Sequence, residues 1–585
     1  MELAKKVNIA GRLSKKKRAV QGKNEQLQTI LIIFVILSFM VSLILPLSAL
    51  FGQALYDREG NFAGLNNFVK YFSTPTLVTS LQHTAYISVM TMFISVGLAF
   101  MYAYSLTRTR MIGKSIFRYA ALLPLFAPTM MHGIGLMYLF GNQGLITSGF
   151  FGFSPGWEIK LYGPIGIIIA ETVYTFPQAF LIIYIALQHT DYRLYEAANT
   201  LGSGRLKQFL NITLPSAKYG IITSMFVVFT LSFTDYGAPK IVGGQYNVLA
   251  TDIYKQVVGQ QNLSMGATVG VLLMLPALVA FFVDHVSQKK QSMYITSKAM
   301  GYKIPGNKGR DLLAFLYCLL ITCFIMLLFV AVGVAASVKI WPYNLGFTLD
   351  HFKFSSFSGD GLTAYKNSLI AAGITAFVGT IFTFIFAYSI EKIRKKRFLR
   401  KLGYLLSIIP LSVPGLVIGI SYVFFFSKSE LEILGLSVSN PFHFLYGTIA
   451  IIVIANILHF YSVAFVTATT ALRKLDKEFE LASESMGVPF YKTMFTVTIP
   501  MCLPAILEIA MFYFVNSMVT ISAVVFLYSA DFKLAAISIV NMDDAGNISS
   551  AAAMSVLIVL TNIVVRLLYE WAVLGLRKRN AEWQK

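Results

Sequence analysis

Glu196-Ala197-Ala198-Asn199-Thr200-Leu201-Gly202, nine further residues, then Ile212-Thr213-Leu214-Pro215: this stretch decides the fold, because the chain contains it twice. The second copy reads Leu481-Ala482-Ser483-Glu484-Ser485-Met486-Gly487, nine residues, then Val497-Thr498-Ile499-Pro500. Both glycines and both prolines are 285 positions apart (487 minus 202, 500 minus 215). The offset extends outward from the loop. Ala103-Tyr104-Ser105 pairs with Ala387-Tyr388-Ser389 at 284, Pro124 and Pro128 with Pro410 and Pro414 at 286, and Leu249-Ala250 with Leu534-Ala535 at 285. The chain is therefore a tandem duplication.

The 585 residues are 56% hydrophobic and only 13% charged, the composition of a polytopic membrane protein. Charge-poor stretches recur near the roughly 20 residues that a helix needs to cross a bilayer. Twelve are read, at about 28–53, 84–107, 117–140, 163–188, 217–242, 265–287, 311–338, 367–391, 402–427, 445–472, 501–528 and 551–575. Asp235 and Pro239 interrupt the outer half of the fifth. Six spans return the chain to its starting side, so the repeats are parallel and a pseudo-twofold axis runs along the membrane normal. The organisation expected is a tail over 1–27, a repeat over 28–290 with its loop at 191–215, and a linker over 291–310. A second repeat over 311–576 follows, with its loop at 476–500, and then a tail over 577–585.

The net charge of +21 could suggest a nucleic-acid partner, but its distribution excludes one. Counted with the adjoining span ends, segments on the N-terminal side of the membrane hold 37 Lys and Arg, the opposite side 10, and Arg566 lies within the last span. Positive residues collect on the cytoplasmic side, so both termini are expected there, with the basic tail anchored beside the anionic leaflet. The apolar run from Ile30 to Ala49 is longer than a signal-peptide core and is read as an uncleaved first span. Cys318, Cys323 and Cys502 show no metal-ligand or disulfide spacing, and no metal site is expected.

Both copies of the loop fall between the fourth and fifth spans of their repeat, on the cytoplasmic side. Small residues (Ala197 and Ala198; Ala482 and Ser483) let a short helix approach another surface closely. Gly202 and Gly487 permit a sharp turn at its end, and Pro215 and Pro500 suit the first turn of the next span. Two such helices imply two docking sites for one soluble partner. Gly113-Lys114-Ser115 imitates the end of a phosphate loop, but Arg108 stands where its first glycine belongs. Any nucleotide chemistry is thus expected in a separate subunit.

The pattern E-A-A-x3-G-x9-I-x-L-P resembles the signature of ATP-binding-cassette importer permeases of the type I fold. The resemblance implies an all-α membrane protein of about twelve helices, two six-helix permease units in tandem, without catalysis or a bound cofactor of its own. Glu196, Ala197, Ala198, Gly202, Leu214 and Pro215, with Ala482, Ser483, Gly487 and Pro500, would couple to two copies of a cytoplasmic ATPase that uses ATP. Leu481 replaces the glutamate in the second copy. An extracytoplasmic binding protein would deliver the substrate. Thr234–Lys240, Leu249–Gln261, Val524–Tyr528 and Asn541–Gly546 resemble fused permeases associated with 2-aminoethylphosphonate uptake. Broader relatives are the ferric-iron, thiamine and polyamine permeases. The substrate expected is an organophosphonate, with ferric iron, thiamine or a polyamine as alternatives; a secondary transporter with Glu171 as proton carrier is a reading of another class.

Ionisable groups inside a membrane cost about 2.5–3.5 kcal/mol each at mid-bilayer and so mark function or pairing. Glu171 and its repeat mate Asn456, Tyr174 and its mate His459, and Asp235 are the candidates for a pathway. Interhelical hydrogen bonding is the structural alternative for Glu171 and Asn456, and a local pair with Lys240 for Asp235. Arg566 and Glu570 read as an i, i+4 pair, and His132, beside Pro128, as a packing residue.

Overall fold

The computed structural model describes residues 26–150, 155–157, 159–294, 304, 306–354, 362–392, 396–433 and 436–582. The basic tail expected over 1–27 lies outside them except for its last two residues, as does much of the linker expected over 291–310. Among the described residues, ten helices are long and apolar enough to cross a membrane, and two bent pairs bring the number to twelve.

The first repeat runs α1 (Gln26–Ala54), α2 (Pro75–Arg108), α3 (Lys114–Leu122), α4 (Thr129–Phe140), α5 (Pro164–Gln188), the short α6 (Arg193–Thr200), α7 (Leu214–Thr234), α8 (Gly237–Val242) and α9 (Leu263–Tyr294). The second runs α10 (Lys308–Ser337), α11 (Thr363–Lys392), α12 (Arg397–Ile408), α13 (Gly415–Phe426), α14 (Ile449–Lys474), the short α15 (Lys477–Ser485), α16 (Ile499–Val519), α17 (Ala535–Asp544) and α18 (Ile548–Glu582). Two small antiparallel hairpins, Val338–Ile340 with Asn344–Phe347 and Glu430–Ile433 with Leu436–Ser439, decorate the second repeat.

Two departures from the expected spans have one cause, proline. The spans expected at 117–140 and 402–427 are bent by 104° and 108°. The bends fall at Ala127-Pro128 and Val413-Pro414, where Ala127 (φ −108°, ψ 142°) and Val413 (φ −100°, ψ 117°) are extended. A residue before proline is driven out of the helical region by the ring. Pro215 and Pro500 stand in the first turn of α7 and α16, but the rods do not start there. Each rod begins earlier, at Arg205 and Phe490. Each then widens for five residues, so that the Leu214 N–H reaches the Phe209 carbonyl and the Ile499 N–H the Met494 carbonyl. That wider turn accommodates a ring lacking an N–H inside a helix. The rods also stop early, at Thr234 and Val519, rather than running to 242 and 528.

Within each repeat α2, α5 and α7, or α11, α14 and α16, pack on one another. The first helix of each repeat does something else. α1 lies against α13 as well as α9. Its Phe39 ring meets Tyr461 on α14 at 4.9 Å, and Phe34 meets Phe386 on α11 at 6.1 Å. Reciprocally, α10 packs on α4, α3 and α2 as well as α18. Tyr317 donates to the Leu98 carbonyl (2.9 Å), the Tyr102 and Thr322 hydroxyls meet at 2.9 Å, and Phe315 packs on Phe117 at 5.5 Å. The repeats thus embrace through exchanged first helices.

Cutting the chain at position 300 tests that exchange. Fragments 1–300 and 301–585, co-expressed, should copurify in detergent, whereas either alone should be degraded, since α1 and α10 each lack much of their packing surface without the other half. Stable accumulation of a lone fragment would contradict the arrangement.

Candidate functional site

Between the repeats lies a cavity of about 90 Å³. It forms where regular helix stops. Backbone polar groups freed at a helix end cannot face lipid, and they are tolerated at membrane depth only against protein or a wet cavity. Its wall is built in repeat-related pairs at the 285-residue offset: Tyr174 with His459, Asp235 with Thr520, Tyr236 with Ile521, and Gly237 with Ser522. Asp235 and Thr520 each directly follow the last residue of their rod. Asp235 turns back to accept the Ala238 N–H (2.8 Å) in the first turn of α8. The approaching backbones touch closely here. A Cβ on Gly237 would lie 2.0 Å from the Thr129 hydroxyl, and one on Gly415 would lie 2.4 Å from the Ser522 hydroxyl. Gly415 corresponds to Thr129 and Ser522 to Gly237, so each contact has one glycine, on opposite sides in the two repeats.

The five pathway candidates separate by depth. Tyr174, His459 and Asp235 line the cavity. Glu171 is wholly buried one layer behind, its carboxyl beside that of Asp235. Two buried carboxyls this close do not both carry charge; one shared proton lets one acid donate to the other. Asn456, equally buried, donates to the Ser517 hydroxyl at 2.7 Å on α16. It makes an interhelical bond, outside the cavity lining. Thr129, Asn516, Thr520 and Ser522 also line the wall and were not anticipated; the matched prolines at 128 and 414 were the signal that irregular backbone gathers here. No Lys or Arg is among the lining residues.

Lys240 does not pair with Asp235. Its ammonium bonds Asp544 on α17, across the repeats, at 2.5 Å. The neighbouring Asp543 has its carboxyl pushed up to about 6, first by burial, then by Asp544, against the pull of Lys240.

On the opposite side, α6 and α15 end alike. Gly202 and Gly487 take φ of +68° and +70°. The Ser203 N–H bonds the Ala198 carbonyl (2.9 Å), and the Val488 N–H bonds the Ser483 carbonyl (3.1 Å). This is the wide capping bond that a left-handed residue closes over the last helical turn. Glu196 and Ala197 are exposed and Ala198 is half-buried; Ala482 is exposed and Ser483 buried. Leu214 is half-buried, and Pro215 and Pro500 are exposed. Large apolar side chains also stand exposed in matched pairs, Leu194 (51%) with Phe479 (50%) and Leu201 (84%) with Met486 (73%).

The family described as "binding-protein-dependent transport system inner membrane component" matches the chain twice, over 94–292 and 379–578. The chain belongs to this family. It is a fused two-repeat permease of an ATP-binding-cassette importer, a multi-pass protein of the inner membrane. Members of the family are generally non-catalytic and work with ATPase and substrate-binding partners. The permease is 27% identical to the ferric transport system permease protein FbpB of Actinobacillus pleuropneumoniae, over 95% of this chain and 80% of that one. It is 28% identical to the putative ferric transport system permease protein FbpB 1 of Haemophilus influenzae (89% and 80%), and 26% identical to Fe(3+)-transport system permease protein FbpB 2 of the same organism (87% and 93%).

The raised carboxyl of Asp543 sets a pH dependence. Its folded-state value exceeds the ordinary one, so folding favours the protonated form, and that stabilisation fades as pH rises from about 4 to about 6. The melting temperature of the purified permease should fall over that window, and Asp543→Asn should flatten the slope. An unchanged slope in the variant would refute the assignment.

Proposed function

We infer that this permease forms the membrane pathway of a ferric-iron importer. Two copies of a separate ATPase hydrolyse ATP against α6 and α15, and a binding protein delivers cargo to the opposite face. Both termini then lie in the cytoplasm, in keeping with the charge asymmetry. The observation that carries the docking is the matched exposure of Leu194 and Phe479, and of Leu201 and Met486, on two short helices outside the bundle. Apolar side chains repeated at one position of each half, off the membrane, suit a partner with two equivalent grooves. Glu196 adds a charged contact to the first helix; Leu481 makes the second a docking by shape.

For the cargo, the wall chemistry and the named relatives point the same way. Asp235, backed by Glu171, brings negative charge to a cavity without a lining Lys or Arg. Such a wall suits a cation and opposes an anionic phosphonate. The first-ranked expectation of an organophosphonate therefore gives way to its ferric alternative. Family membership supplies an external ATP source, which sets aside the ion-coupled secondary transporter.

Two experiments test these readings. Reconstituted with its ATPase and binding protein, the permease should take up radiolabelled ferric iron and no 2-aminoethylphosphonate, and Asp235→Asn should lower iron uptake by about ten- to a hundredfold, the worth of one charged contact. Phosphonate uptake would reverse the assignment. Replacing Gly202 and Gly487 together by Leu forces a side chain into the left-handed region at about 1–2 kcal/mol per site. Copurification of the ATPase and transport should be lost while membrane insertion persists; normal transport in that variant would sink the docking model.

A further inference from the structure

The ends of α2 and α11 hold the two short helices by different chemistry at one repeat-related position. Arg108 is the last residue of α2, and Lys392, 284 positions later, the last of α11. Arg108 is buried (2% exposed) and donates from Nη2 to the Leu187 carbonyl near the end of α5 at 2.9 Å. Its guanidinium stands 5.7 Å from the ring centre of Tyr195, the buried residue of α6. The Tyr195 hydroxyl in turn meets that of Thr213 at 2.8 Å, at the wide turn before Pro215. In the second repeat, 285 positions after Tyr195, stands Glu480 on α15. Its carboxylate takes the Lys392 ammonium at 2.5 Å, with the two side chains 19% and 10% exposed. Glu391, beside Lys392, accepts from Arg473 at 3.1 Å, at the end of α14 just ahead of α15. One joint is a cation over an aromatic face, the other a largely desolvated ion pair.

We propose that Arg108 and Lys392 are positioning residues that transmit movement of α6 and α15 to the bundle, each by clamping the residue that precedes the docking face, Tyr195 before Glu196 and Glu480 before Leu481. The inference rests on the reading that α6 and α15 engage the ATPase. α2 and α11 suit this role because they pack along α5 and α14, the helices carrying Tyr174 and His459 to the cavity wall. A displaced short helix that retains its clamp must carry the end of α2 or α11 with it. Without the clamp it can pivot about its connecting residues and leave the cavity unmoved. The first clamp also acts together with the chain itself, since Thr213 ties Tyr195 to the rod that ends at Thr234, one residue before Asp235.

The test uses the complete transporter in proteoliposomes, with transport and ATP hydrolysis measured on the same preparation. Arg108→Ala with Lys392→Ala should leave the ATPase bound and hydrolysing ATP within about twofold, while cargo moved per ATP falls by about tenfold. Glu480→Gln, which keeps the side-chain shape and removes its charge, should lower the ratio in the same direction. The exchanged pair Lys392→Glu with Glu480→Lys should restore it. An unchanged ratio in the double variant overturns the proposal. So does a joint loss of transport, hydrolysis and thermal stability in Glu480→Gln that the exchanged pair does not restore, because that marks a merely structural contact. If the ATPase fails to copurify with the unaltered permease, the docking reading falls instead, and the two failures are told apart before any ratio is measured.

Discussion

A polypeptide in hydrocarbon must satisfy every backbone N–H and C=O from within, and this structure turns on the places where it does not do so by regular helix. The breaks at Ala127-Pro128 and Val413-Pro414 and the early ends of α7 and α16 are gathered at the boundary between the repeats, three of the four contributing to one cavity. The gathering is self-consistent. A broken helix needs neighbours to cover its free polar groups, and a polar cavity needs groups to line it. The close contacts Gly237 to Thr129 and Gly415 to Ser522 are the local means, bringing backbone ends nearer than two side chains would allow.

Duplication supplied two similar walls, and divergence made them chemically unequal. Asp235 faces Thr520 in repeat terms, Glu171 corresponds to Asn456, and Tyr174 to His459. The acids are all on the first repeat's side. A homodimer of identical half-chains would have to place both carboxyl pairs at the axis, where like charges repel and desolvation is costly. Fusion into one chain permits a single acidic wall opposite a neutral one. The same asymmetry recurs on the other side of the membrane, where Arg108 meets an aromatic ring and Lys392 meets a carboxylate.

Much of this was legible in the sequence, and the parts that were not share a physical character. The 285-residue offset, the span count, the two short helices and their left-handed glycines are local or periodic properties, which composition and spacing report directly. The bends at 104° and 108° were foreshadowed only by paired prolines, because hydropathy measures whether a segment is apolar and is blind to its direction. The π-like widening before Pro215 and Pro500 was missed since a proline near a span start reads most simply as its first turn. Lys240 lies five residues from Asp235, yet its partner is Asp544, 304 residues away. Sequence proximity ranks local pairs, and only the folded bundle brings α17 to α8. The exchange of α1 and α10 had no sequence signal, because an apolar helix is equally apolar against either repeat.

That exchange decides which contacts may change during a transport cycle. Lys240–Asp544 joins the repeats on the side away from the short helices, but its side chains are 24% and 47% exposed, and partly exposed ion pairs contribute at most about 1 kcal/mol. It cannot be what holds the halves together. Phe39 on Tyr461, Phe315 on Phe117 and the buried Tyr102–Thr322 contact belong instead to helices wrapped around the opposite repeat. Association is thus carried largely by the exchanged helices, with α9 on α13 and α18 on α4 adding to it. A bundle built this way can open its centre at small cost without separating its halves, which is the mechanical requirement of a pathway that faces each side of a membrane in turn.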